Sequence, residues 1–160
     1  MHPEIIETSE RKVIGISTTM RHGEYHKIQQ LWQQFMPRLK AVKARSSAEL
    51  IALQEFPEDT NAATLSDYTI WACAEVLNFN EIPEGMMSLV IPAGTYAIVP
   101  HKGMDASKTY SQFMSKWLTN SGYGIDARPH FQVMGAKYKN GSPDSEEEFY
   151  IPIKWITEAN

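Results

Sequence analysis

Apolar residues recur at helical spacing in two places along the chain. Tyr25, Ile28, Leu31, Trp32, Phe35 and Met36 form one set; Tyr110, Phe113, Met114, Trp117 and Leu118 form the other. Steps of three and four residues put each set on one side of a helix, so two amphipathic helices are predicted. They share a signature 85 positions apart: Tyr, an apolar residue three further on, and Trp seven further on. A strand-like run precedes each helix, at residues 12–17 and 94–99, and two more strand candidates follow each. After the first helix Pro37 breaks the pattern. Residues 48–56 read as a strand, although their Ala, Leu and Glu content would also suit a short helix, and residues 68–76 are a more secure strand beyond the loop at Pro57. After the second helix the stretch 120–124 is a stop signal; residues 129–134 form a short strand, and the turn-rich residues 139–144 lead to a last strand at 148–156. The sum is β-α-β-β twice, an α+β domain of duplicated units with pseudo-two-fold symmetry and repeat halves at about 10–77 and 88–157.

Alternation within the strands separates two faces. In residues 68–76, Ile70, Ala72, Ala74 and Val76 oppose Trp71, Cys73 and Glu75; in the last strand Phe149, Ile151 and Ile153 oppose Glu148, Tyr150 and Pro152. With both helices on the aliphatic face, the other face carries Trp71, Glu75, Glu148 and Tyr150. Carboxylates set among large aromatics suit a cleft for a cationic or aromatic ligand, held by cation–π and charge-assisted contacts.

Composition narrows the field. With 160 residues, 42% of them apolar, the chain can form one domain over 1–160 without disulfide or metal support. No membrane span or signal-peptide pattern is visible, and the single cysteine, Cys73, fits a reducing compartment, so a cytoplasmic protein without membrane partners is expected. A net charge of -4 disfavours direct nucleic-acid binding. There is no P-loop, no GxGxxG and no GxSxG, which leaves nucleotide-dependent and serine-hydrolase chemistry unsupported and no cofactor implied. His22 and His26 stand four apart but bracket Gly23 and belong to no metal motif, so no metal site is expected. Trp32 and Trp117 sit at core spacing and read as packing. Cys73 reads as a small buried side chain whose parity with Trp71 leaves a place in the cleft lining open. Tyr96, Tyr110 and Tyr123 are unranked rim candidates.

Three stretches carry a resemblance. They are residues 68–76 with the following Ile82-Pro83-Glu84-Gly85-Met86; residues 91–103, from Ile91-Pro92-Ala93-Gly94-Thr95-Tyr96 to Gly103; and residues 117–131, ending Arg128-Pro129-His130-Phe131, with the closing residues 148–154. Together with residues 12–16 they span nearly the whole chain in order, and the chain resembles the GyrI-like small-molecule-binding domains. These also occur as effector-binding halves of AraC-type and MerR-type multidrug transcription regulators, and as stand-alone proteins, some on integron cassettes. The resemblance implies one curved antiparallel sheet with helices on one face and a ligand cleft between the halves. It also implies binding of amphipathic, cationic aromatic molecules, for drug sensing or sequestration, through Glu75 and Glu148 with Trp71 and Tyr150 beside them. Gln132 and His130 stand where many members have an acidic residue, which makes Gln132 a further ligand-binding candidate. Two other functions come with the resemblance. One is hydrolysis of electrophilic cyclopropane-type natural products, with Glu148 or Glu75 and Tyr150 as catalytic candidates; the other is gyrase inhibition through a protein partner. A separate DNA-binding partner is a further expectation, since nothing before residue 12 could house a helix-turn-helix.

Overall fold

Both helical patterns fold as helices, and all six strand candidates fold as strands. The computed structural model describes residues 2–21, 23–57, 67–103, 106–135 and 145–156, so His22, most of the loop after Pro57 and the turn at 139–144 lie outside the described residues. The elements are β1 (Glu4–Thr8), β2 (Arg11–Met20), α1 (His26–Phe35), β3 (Arg45–Glu55), β4 (Tyr68–Val76), β5 (Met87–Ile91), β6 (Gly94–Lys102), α2 (Ala106–Gln112), β7 (Tyr123–Ile125), β8 (His130–Met134) and β9 (Glu146–Trp155). Pro37 does not extend α1; it opens a 3-10 segment over Met36–Ala41. The second helix continues past α2 as a π turn, Phe113–Trp117, in which the two end rings stack at 5.2 Å.

Three short strands, β1, β5 and β7, were not visible in the pattern. β1 and β5 are five residues long with mixed parity, and β7 is three residues long with Gly124 in its middle. All pairings are antiparallel, in the order β1-β6-β9-β8-β3-β4-β2-β5, with β7 joining β9 beside β8. The centre of the sheet is symmetric. Ala52 faces Gln132, and on either side Ile51 pairs with Val133 and Leu53 with Phe131.

The leading strands are exchanged between the halves: β1 pairs with β6, and β5 with β2. The two ladders correspond residue by residue at an offset of 83, so Glu4 matches Met87, Thr8 matches Ile91, and Arg11 matches Gly94. This exchange dictates the shape. β1 lies at one edge of the sheet and β2 next to the other, yet only Ser9 and Glu10 separate them; Pro92 and Ala93 separate β5 from β6 in the same way. Three peptide steps reach roughly 10 Å, about two strand spacings, so the sheet has to curl until its edges approach. The result is a half-barrel. Gly15 helps β2 follow the curve, because a Cβ there would run into the Ala72 carbonyl and Cys73.

Both helices pack on the convex face. α1 buries Leu31 and Phe35 against Ile14, Ile70, Ala72 and Ala74, while Phe113 packs on Ala97, Val99, Phe149, Ile151 and Ile153. A third cluster lines the concave face, with Val13, Ile51, Leu53, Trp71, Cys73, Tyr96, Ile98, Phe131 and Tyr150. Among the described residues no helix is long and apolar enough to cross a membrane.

Candidate functional site

The concave face has an aromatic floor. β8 delivers Phe131, β9 delivers Tyr150 and β6 delivers Tyr96; Phe131 and Tyr150 stack at 4.5 Å, and Tyr96 meets them edge-on at 5.3 and 6.1 Å. Each residue lies on its strand at the parity that turns away from the helices, which brings the three rings to one face beside the aliphatic residues of that cluster. Burial raises the Tyr150 phenol; the Arg11 charge opposes that shift, and Glu148 and Glu49 add to it.

Arg11, the first residue of β2, reaches across the cleft from the first half to the second. Its guanidinium lies 5.3 Å from the Phe131 ring centroid and 5.2 Å from that of Tyr150, and Nη1 donates to Glu75 Oε1 at 3.1 Å. The pair is partly screened by water, with side-chain exposures of 22% and 27%. A second guanidinium covers the third ring. Arg128 lies 4.6 Å from the Tyr96 centroid, where its Nε donates to Asp126 at 3.0 Å and its Nη2 donates to the carbonyls of Thr95, at 2.6 Å, and Ile153, at 3.0 Å. Gly94 makes this possible, since a Cβ there would collide with the guanidinium. Burial would raise the Asp126 carboxyl, but the Ala127 N–H and Arg128 outweigh it and hold it below its ordinary value.

At one end of the floor the face opens into a groove of about 560 Å³, lined by Glu49, Val133, Glu146, Glu147, Glu148, Pro100, His101, Lys102 and Gly135. Val133 also belongs to the concave cluster with Phe131 and Tyr150, so the groove abuts the aromatic floor. Glu49, Glu146 and Glu148 against Lys102 give this mouth a negative field. Glu147 differs from Glu148: it pairs with His101, whose ring stacks on Phe149 on the helix side, and burial pushes its carboxyl up to about 7.

Trp71, Glu75, Glu148 and Tyr150 therefore share the concave face, as their parity implied. They do not form one cluster. Trp71 donates to Glu55 Oε1 at 2.6 Å, Glu75 is engaged by Arg11, and Glu148 stands exposed at the mouth. Gln132 is not brought to them. Phe131 and Val133 take the concave parity of β8, which turns Gln132 to the helix side, where it exchanges hydrogen bonds with Gln54 at 3.1 and 3.4 Å. His130 lies on that side too, edge-on to Phe56 at 5.0 Å and stacked with Tyr110 at 6.3 Å; burial lowers its pKa to about 4. Cys73 is fully buried in the concave cluster, donates to the Ile51 carbonyl at 3.3 Å, and has its thiol pushed up by burial. Sequence reasoning missed Arg11, Arg128 and Glu49. Arg11 shares strand parity with Val13, but nothing in the pattern marks a strand-initial arginine as facing inward.

The sheet is curled and antiparallel, with the helices outside and the aromatic rings on its concave face. The chain belongs to the GyrI-like small molecule binding domain family, whose model matches residues 1–154. It is 26% identical over 156 residues to the transcriptional regulator BrlR of Pseudomonas aeruginosa, covering 96% of this chain and 56% of the regulator. It thus spans about half the length of the curated relatives it matches. Among solved structures it is similar to SAV2435 bound to tetraphenylphosphonium, with a TM-score of 0.67, 15% identity, and coverage of 96% of this chain and 94% of that one. It is also similar to the C-terminal domain of EcmrR, with a TM-score of 0.66, 18% identity, and coverage of 97% and 98%.

Proposed function

We propose that the chain binds amphipathic aromatic cations, the cationic end held at the mouth by Glu148 and Glu49 and the apolar body resting on Val133 and the edge of the aromatic floor, in a drug-sensing or sequestering role in the cytoplasm. The observation that carries this is the groove itself: exposed carboxylates flank Val133, which belongs to the same buried cluster as Phe131 and Tyr150. A lipophilic cation needs both, because its charge is costly to bury unpaired and its rings gain little from water. The tetraphenylphosphonium bound by SAV2435 is of this chemical class.

Titration with tetraphenylphosphonium, followed calorimetrically, tests the proposal. Wild type should bind saturably at micromolar to low millimolar concentration. Glu148→Gln and Glu49→Gln should each weaken binding about threefold to tenfold, the range for partly exposed charge contacts of about 1 kcal/mol. Binding unchanged in both variants would exclude the mouth as the cation site.

A further inference from the structure

The subsite best suited to a cation is already filled by the protein. One carboxylate, Glu75, and two stacked ring faces, Phe131 and Tyr150, surround the Arg11 guanidinium, and this cation comes from β2 whereas the rings belong to β8 and β9. We propose that Arg11 is a resident, displaceable cation that sets the charge specificity of the concave face: it occupies the Glu75–Phe131–Tyr150 subsite, ties the two halves together across the cleft, and confines a ligand's own charge to the mouth. This rests on the proposed binding of aromatic cations and adds which residue decides where their charge can go.

The geometry supports displacement rather than permanent anchoring. Arg11 meets its carboxylate in a pair whose side chains are 22% and 27% exposed, and its other contacts are with the Phe131 and Tyr150 rings and the Tyr150 hydroxyl, none of them a backbone acceptor, and ring faces hold any cation of suitable size. Arg128, by contrast, is tied by a carboxylate and two backbone carbonyls within its own half of the chain. A ligand cation entering the inner subsite has to expel Arg11 into solvent and inherit Glu75. Most of its potential affinity is spent in that exchange. Removing the guanidinium while keeping an unbranched apolar stem should therefore leave Glu75 unpaired and both rings uncovered, an open cation site.

The test is calorimetric titration of the full chain with tetraphenylphosphonium, using wild type, Arg11→Met, Arg11→Lys and the double variant Arg11→Met/Glu75→Gln, with a thermal melt on each. Arg11→Met should bind at least tenfold more tightly than wild type. Arg11→Lys, which keeps the charge, should show no comparable gain, and the double variant should lose the gain. If Arg11→Met does not fold, Arg11→Gln replaces it with the same expectation. A folded neutral variant that binds no more tightly than wild type overturns the inference, as does a gain that survives in the double variant. The outcomes also separate the inference from the mouth proposal. Wild type that binds and loses affinity in Glu148→Gln, with no gain in Arg11→Met, overturns the inference alone; wild type that binds no cation, with tight binding by Arg11→Met, overturns the mouth proposal alone. Absence of binding by every variant overturns both.

Discussion

Arg11 and Arg128 cover the same aromatic floor in different ways. The duplication places Gly94 at the position that matches Arg11, so the second half supplies no guanidinium from its own strand start; Arg128, from the loop before β8, fills the space that Gly94 leaves. Arg128 is tied to Asp126, Thr95 and Ile153, with only 14% of its side chain exposed, and stays within its half. Arg11 bridges the halves with one carboxylate contact and two rings. Equivalent stations have thus diverged into a structural lock and an exchangeable latch. The difference is one of how many buried acceptors depend on each cation.

The largest expected effect breaks the lock. Arg128→Ala should cost about 2–4 kcal/mol, because it leaves a carboxylate and two carbonyls, all part-buried, short of a donor. Arg11→Ala should cost about 1–2 kcal/mol, because a partly exposed ion pair and two ring contacts are lost but no backbone carbonyl loses a donor. Chemical denaturation of both variants checks the ratio, and equal losses would erase the distinction between the stations. Gly94→Ala sharpens it. The added methyl pushes Arg128 off Tyr96 without deleting it, so it should lie between the two, at about 1–3 kcal/mol.

A smaller effect distinguishes the two faces of β9 and its neighbour β8. Glu147 has its pKa raised to about 7 by burial, so the fold favours its protonated form; its stabilising contribution is complete below about 4.5 and is lost as pH rises through 7. His130 has its pKa lowered to about 4, so its contribution is complete above 6.5 and is lost as pH falls towards 4. Glu147→Gln should therefore flatten the decline in stability between pH 5 and 8, while His130→Phe should reduce acid lability between pH 6.5 and 4. Melting temperatures across that range read both slopes.

How far the sequence discloses this arrangement depends on strand parity. In the middle of β4 and β9 one parity is wholly apolar and the other mixes aromatics with carboxylates, so the order of residues alone tells the two faces apart. β8 inverts the rule. Its apolar residues, Phe131 and Val133, face the cleft, and its polar ones, His130 and Gln132, face the helices, because Phe131 stacks on Tyr150 while Gln132 finds Gln54 on the neighbouring strand. Periodicity cannot see lateral partners of that kind. β1 and β5 escaped for a related reason: each is short and stabilised by a strand of the other half. Arg11 and Arg128 were illegible because long side chains act at a distance from their backbone positions, and only the curl of the sheet brings Arg11 to rings on the far wall.

The exchange of leading strands also has a consequence for synthesis on the ribosome. β1 is made first, but its partner residues Gly94–Ile98 follow about ninety residues later, roughly 5–20 s of translation at the usual pace of 5–20 residues per second. Until then the first half has no cover for Ile6 and lacks β5 along the edge of β2. The nascent chain therefore waits with an open strand edge at each end of its sheet. The β2 edge is filled once residues 87–91 have been made, but β3 gains its partner β8 only with residues 130–134, so the two halves complete each other late and through long-range pairings.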